Sequence, residues 1–287
     1  MTTATNSSNL NNTHKPVIMA EQIIWLTGAS SGIGEALVHS LQAQCRHLFI
    51  TARKADALQA LADQYSNVSV LVADITDAEQ MQTAATEITA EFGRLDTLIA
   101  NAGTCEYLDV TEFDIELIRR VHETNFFGMV NTLNAALPLL RNSQRGFIVG
   151  MSSSVTWLAM PRAQAYGSSK AAVRHFLQCM QADLKQEGID VSIISPGFVG
   201  TPLTDLNDFP MPGKISASKA ADIITRGLIK RKAEIRFPYL FTLFLRFLGA
   251  LPTGLRLRVT SAMAKNPNEN LSKNSSNNSS KNGDHPL

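Results

Sequence analysis

The chain has 287 residues, 44% of them hydrophobic and 18% charged, with a formal net charge of +1. That length suits one large α/β domain and is cramped for two, and the near-neutral balance gives no global reason to expect a nucleic-acid partner. Three widely spaced cysteines, Cys45, Cys105 and Cys179, show no Cys-x-x-Cys and no metal-ligand spacing, so no metal is assigned and a reducing, cytoplasmic compartment fits better than a disulfide scaffold.

Residues 1–20 read as a disordered Thr/Asn/Ser-rich leader without the apolar run of a secretory signal. Met19 directly precedes the first structured run, so translation from Met1 and from Met19 both stay open. The folded domain is expected over 21–262, and residues 263–287 read as a disordered Asn/Ser-rich tail.

Ile23 to Thr27 is an apolar run, followed by Gly28-Ala29-Ser30-Ser31-Gly32-Ile33-Gly34 and an amphipathic stretch to Leu41. This is strand, glycine turn and helix, a pattern that brings backbone and helix N–H donors close to a pyrophosphate. Ser30 and Ser31 add hydroxyl donors. A glycine turn there can equally be a tight connection only.

His47 to Ala52 reads as a second strand with Arg53 and Lys54 at its end. In a doubly wound sheet this point faces the adenosine ribose, and Arg53 offers a planar fork for a 2′-phosphate where a carboxylate would select NAD. NADP(H) is therefore the preferred cofactor; otherwise Arg53 and Lys54 solvate a loop. Val68 to Ala73 is a third strand ending in Asp74, which either accepts from an adenine amino group or caps the next helix. Helical periodicity over Ala78 to Phe92 leads to a fourth strand, Thr97 to Ala100, ending in Asn101-Ala102-Gly103. This alternation predicts a parallel sheet, whose strand ends line a ligand crevice.

Thr111 to Leu140 reads as one long helix, bent or ended near Pro138, with Asn125 among apolar neighbours. That amide must find partners in backbone or in a held water. Gly146 to Met151 is a fifth strand ending at Ser152-Ser153-Ser154. In the next helix Tyr166 and Lys170 are one turn apart on one face, with Gly188 as the C-cap. The helix's positive pole and the Lys170 charge both favour phenolate over phenol at Tyr166. Asp190 to Ile194 is a sixth strand, followed by Ser195-Pro196-Gly197-Phe198-Val199-Gly200-Thr201-Pro202.

In their order and separations these elements resemble the short-chain dehydrogenase/reductase family over residues 22–202. They are the run Thr27 to Gly34, Asp74, Asn101-Ala102-Gly103, Asn125, Ser153, Tyr166 with Lys170, and Pro196-Gly197 with Thr201. Ala100 stands where the family usually has a further Asn. The resemblance implies a single-domain α/β fold, a Rossmann doubly wound parallel sheet of about seven strands with helices on both faces. Glu234 to Phe237 would be the seventh strand, and assembly would be a homodimer or homotetramer. It implies NADP(H)-dependent interconversion of a small-molecule carbonyl and an alcohol, with Tyr166 as general acid/base. Lys170 would bind the nicotinamide ribose and depress the phenol pKa, Ser153 would donate to the substrate oxygen, and Asn125 would hold a relay water behind Lys170. Ser153 matches the family's separation from Tyr166, with Ser154 the nearest competitor. Gly28, Ser30, Ser31, Gly32, Ile33, Gly34, Asn101 and Val199 would line the cofactor, and Thr201 would meet the carboxamide.

Residues 203–232 read as a substrate lid and helix, with Phe209 and Met211 as apolar contacts and Ser216 to Arg231 helical. An apolar lid points to an apolar substrate. Residues 237–259 form an apolar segment flanked by cations, too short and interrupted to span a bilayer. Peripheral membrane contact, a partner subunit and the substrate cleft are its three possible destinations.

Overall fold

The computed structural model describes residues 19–264 except Leu206. The expected leader and tail lie almost entirely outside these residues, although Met19 and Ala20 belong to a short 3-10 turn, Met19–Glu21. In chain order come β1 (Ile23–Thr27), α1 (Gly32–Leu41), β2 (His47–Ala52), α2 (Ala55–Ala62), β3 (Val68–Val72), α3 (Ala78–Phe92) and β4 (Thr97–Ala100). Then follow α4 (Ile115–His122), α5 (Gly128–Arg141), β5 (Phe147–Met151), α6 (Gln164–Asp183), β6 (Asp190–Pro196) and the short β7 (Val199–Gly200) and β8 (Ile215–Ser216). The chain continues through α7 (Ala217–Ile229), β9 (Glu234–Phe237), α8 (Tyr239–Gly249) and α9 (Thr253–Ala262).

Seven strands form one parallel sheet in the order β3-β2-β1-β4-β5-β6-β9. Alternation along β1 explains why both faces are covered. Ile23 and Trp25 enter a core with Met81 and Ile88 of α3, Leu133 of α5 and Leu177 of α6. Ile24 and Leu26 enter the opposite core with Leu37 of α1, Leu58 of α2 and Ile224 of α7. A strand buried on both faces needs a continuous apolar run, and β1 is buried at all five positions.

The stretch read as one helix from Thr111 is two helices joined by a π-helical turn, Glu123–Phe127. Asp114 caps α4 by accepting from the N–H groups of Glu116 and Leu117, so Thr111 to Phe113 stay outside. Pro138 does not end α5, which continues to Arg141 because Leu139 and Leu140 are buried in the core. At the end of α6 a 3-10 turn, Leu184–Glu187, intervenes before Gly188 closes the helical run at φ 74°. The segment read as one apolar stretch over residues 237–259 holds two helices, α8 and most of α9.

The strand order reverses between β1 and β4, which opens the crevice above their carboxyl ends. The turn after β1 is tight. Gly28 has φ +70°, and a side chain there would place Cβ 2.6 Å from Ala102 Cα. At Gly34 a methyl would run into the Gly28 carbonyl oxygen. Gly34→Ala should therefore destabilise the chain by about 2 kcal/mol and lower Tm by roughly 4–8 °C, with loss of nucleotide affinity; calorimetry and nucleotide titration check both.

Candidate active site

The carboxyl ends of β1, β2, β4, β5 and β6 open into one cavity of about 640 Å³. At one end stands the glycine turn. Ser31 occupies the N-cap position of α1 without a side-chain capping bond, so the first N–H groups of that helix are not claimed by its own cap. Asn101 braces the turn, donating its Nδ2 hydrogens to the carbonyls of Thr27 and Gly28, both at 3.1 Å. Its role in the fold is thus to clamp the loop. Thr27 Oγ1 accepts from the N–H groups of Asn101 and Ala102 at 3.2 and 3.3 Å. Gly32, at φ +60°, lies under Thr201: a Cβ there would sit 3.0 Å from Thr201 Cγ2. An unclaimed helix N-terminus and a backbone cradle that side chains would fill fit a dinucleotide phosphate.

Ser30, Ser31, Ile33, Arg53, Asp74, Val199 and Thr201 all line this cavity, as expected. Arg53 is exposed and pairs with Asp74 at 3.6 Å. The helix-capping alternative for Asp74 fails, because Asp77 is the cap of α3 and accepts from Glu79 and Gln80. Asp74 instead accepts from the N–H and hydroxyl of Thr76 at 3.0 and 2.8 Å.

The other end holds Ser153, Tyr166 and Lys170. Tyr166 lies in the first turn of α6, and Ser153 follows β5 with its hydroxyl near enough to the phenol to favour the phenolate. Ser154 is buried at the start of a 3-10 turn, away from the cavity lining. Lys170 is buried; its ammonium donates to the Met151 carbonyl at 2.9 Å and lies 6.0 Å from the Tyr166 ring centroid. Asn125 sits in the π-helical turn, behind the cavity wall. Its Oδ1 accepts from Thr104 N–H at 2.7 Å, and its Nδ2 donates to the Thr104 carbonyl and to Ser169 Oγ, both at 2.9 Å. Ser169 in turn donates to the Tyr166 carbonyl at 2.8 Å. The asparagine therefore ties the loop after β4 to the helix that carries Tyr166, and it does so chiefly through backbone.

Sequence reasoning missed Ser169, though its place beside Lys170 was a usable signal. It also missed Glu106 and Arg120, which line the cavity and pair at 2.6 Å. Nothing in their spacing announces that contact. Phe209 does not line the cavity: it stacks edge-on against Tyr107 at 5.6 Å and Phe198 at 6.0 Å, and Pro202, Leu203 and Thr204 face inward instead. Met211 receives a hydrogen bond from Asn207 at its sulfur rather than making a purely apolar contact.

The electrostatics reverse one expectation. Burial pushes the Tyr166 phenol up to about 12, against the lowering effect of the Ser153 bond, and burial pulls Lys170 down to about 8. Desolvation penalises both ions and outweighs the interaction with the Cys105 thiol, and no carboxylate among the described residues pairs with the ammonium, so burial opposes ionisation of the phenol. For Lys170 the unfolded chain holds more protons between pH 8 and 10.5, so its contribution to stability rises with pH across that window. Lys170→Met should therefore exceed the parent in Tm most clearly at or below pH 8, the gap closing toward pH 10.5. Thermal melts of both proteins across that range check the sign.

Comparison with known proteins gives the lineage. The short chain dehydrogenase family matches residues 22–208. An uncharacterized oxidoreductase of Myxococcus xanthus is 33% identical over 241 residues, covering 83% of this chain and 95% of that protein. The 11-beta-hydroxysteroid dehydrogenase 1A of Arabidopsis thaliana is 32% identical over 243 residues, covering 77% of this chain and 69% of the relative. A short chain dehydrogenase from Burkholderia cenocepacia, solved in complex with NADP, superposes with a TM-score of 0.74 at 25% identity, over 87% of this chain and all of that one. With the parallel sheet, the braced glycine turn and the Ser153–Tyr166–Lys170 cluster in one cleft, the chain belongs to the short-chain dehydrogenase/reductase family of nucleotide-binding oxidoreductases.

Proposed function

We propose that the protein is an NADP(H)-dependent oxidoreductase that interconverts a ketone or aldehyde and its alcohol on an apolar small molecule. The observation that carries this reading is the convergence of Ser153, Tyr166 and Lys170 at one end of the cavity whose other end is the uncapped start of α1. When bound, the nicotinamide supplies or accepts the hydride. Tyr166 delivers a proton to the carbonyl oxygen in the reducing direction and removes it in the other, while Ser153 donates to the same oxygen as charge builds there. Lys170, poised near neutral pH by burial, holds a cofactor ribose hydroxyl and favours phenolate once the site is filled. With the Asn125 amide committed to Thr104 and Ser169, a relay water behind Lys170 is assigned to the Asn125 main chain.

The preference for the phosphorylated dinucleotide rests on Arg53. It stands at the end of β2 on the cavity wall, where its pair with Asp74 is exposed and weak enough for a phosphate to displace. Apolar specificity rests on Pro202 and Leu203, which line the cavity, and on the chain neighbours that hold the Tyr107, Phe209 and Phe198 stack. We assign the active form to a homodimer or homotetramer in the cytoplasm.

A panel of carbonyl compounds with NADPH oxidation as readout tests the reaction class. Tyr166→Phe should keep NADPH affinity within about twofold while turnover falls by about 10²–10⁴; retention of most of the turnover would remove Tyr166 as proton donor. Arg53→Ala should weaken NADPH by at least about tenfold, as expected for a charge-assisted phosphate contact, and leave NADH nearly unchanged. Equal losses for both nucleotides would mean that Arg53 does not read the phosphate.

A further inference from the structure

The cleft leaves α8 unexplained. Leu240, Leu243, Phe244 and Phe247 recur at i, i+3, i+4 and i+7, and all four side chains are exposed, Leu240 at 78% and Phe247 at 64%. Thr242, Leu245 and Leu248, on the opposite side of the same helix, are buried against the domain. Apart from Arg246, the helix therefore presents large apolar side chains to solvent as well as to the core, a pattern that soluble surfaces avoid. Next to it α9 buries nothing among its ten residues and presents Leu255 and Leu257 beside Arg256 and Arg258.

The charge carried by this segment has one sign, and Glu234 just before it is the one carboxylate paired with its arginines among the described residues. From Ile235 to Ala264 the chain carries Arg236, Arg246, Arg256 and Arg258 and no Asp or Glu. Arg246 pairs with Glu234 at 3.8 Å, which leaves Arg236, Arg256 and Arg258 without a carboxylate partner among the described residues, although Arg256 donates to the Gly249 carbonyl. A second copy of the chain is a poor occupant, since a two-fold contact sets each patch against itself and would bring these cations together. An anionic lipid surface answers both features: acyl chains cover the leucines and phenylalanines, and headgroups neutralise the arginines. No helix among the described residues is long and apolar enough to cross a membrane, so the contact lies in the plane of the interface.

We propose that α8 and α9 dock the protein on an anionic bilayer through this exposed apolar face and its arginine border. Docking brings the substrate cavity near the lipid surface, because Phe241 of α8 stacks on Phe198 at 5.6 Å, Phe198 meets Phe209, Phe209 meets Tyr107, and Gly197 and Glu106, the chain neighbours of Phe198 and Tyr107, line the cavity. That second consequence rests on the apolar-substrate reading above; the docking itself does not, and its test reads no catalysis.

The experiment is flotation of the full chain with vesicles of pure phosphatidylcholine and with vesicles containing 30 mol% phosphatidylserine, a composition chosen on the order of a charged cytoplasmic leaflet. The unmutated chain should float with the anionic vesicles, and binding should fall steeply as salt is raised. Arg256→Gln with Arg258→Gln should lower the partition coefficient by about thirtyfold, and Leu240→Ser with Phe247→Ser should abolish it, each with Tm unchanged. Failure of the unmutated chain to bind anionic vesicles, or binding that is indifferent to salt and to both variants, overturns the proposal. So does a solution dimer that Leu240→Ser with Phe247→Ser splits, since a second copy would then cover the face.

Discussion

A buried ammonium sets the terms for this site. Lys170 is 4% exposed and makes its one hydrogen bond among the described residues to the Met151 carbonyl, a neutral acceptor that does not offset the lost hydration of a full charge. The consequence is a lysine pulled down to about 8 and a neighbouring phenol pushed up, both by desolvation. Under the proposed function, a cofactor whose hydroxyl groups reach Lys170 would relieve that penalty and let its charge act on Tyr166.

The scaffold that tolerates this strain is built from short, mutually bracing contacts. Asn101 holds the glycine turn from β4, Asn125 holds the following loop to Ser169, and Ser169 holds the first turn of α6. Each asparagine replaces water with backbone partners, so two polar side chains become rigid connectors between strand ends and the helix of Tyr166. The π-helical turn at Glu123–Phe127 is where the long helical run yields to put Asn125 in register. Irregularity in the backbone is concentrated where the cleft needs it.

Beyond the cleft the chain changes character. Aromatic rings run from Tyr107 through Phe209 and Phe198 to Phe241, linking the mouth to a helix whose outer face is apolar and whose border is basic. The segment after Pro202 is consequently not an independent flap. Its anchors include Tyr107 on Asn207 at 2.8 Å and Arg162 on Asp208 at 2.9 Å.

Periodicity and local chemistry in the sequence determined six strands, the glycine turn and the Tyr166–Lys170 face, because these depend on residues within a few positions of one another, whereas the seventh strand and the choice of Ser153 came from the family resemblance. Asp74 and Arg53 were also legible as cavity residues, since strand ends in a parallel sheet must point at the crevice. Tertiary structure decided what local pattern cannot carry. It broke the run after Thr111 into two helices, gave the capping role to Asp77, and turned Phe209 away from the cavity into an aromatic stack. It placed Glu106 and Arg120 in the cleft, and it removed the acidity expected of Tyr166. The cap at Asp77 is a local contact fixed by where α3 begins, but the other outcomes turn on hydrogen-bond partners, desolvation and ring stacking from residues remote in sequence, and only the folded chain brings those within reach.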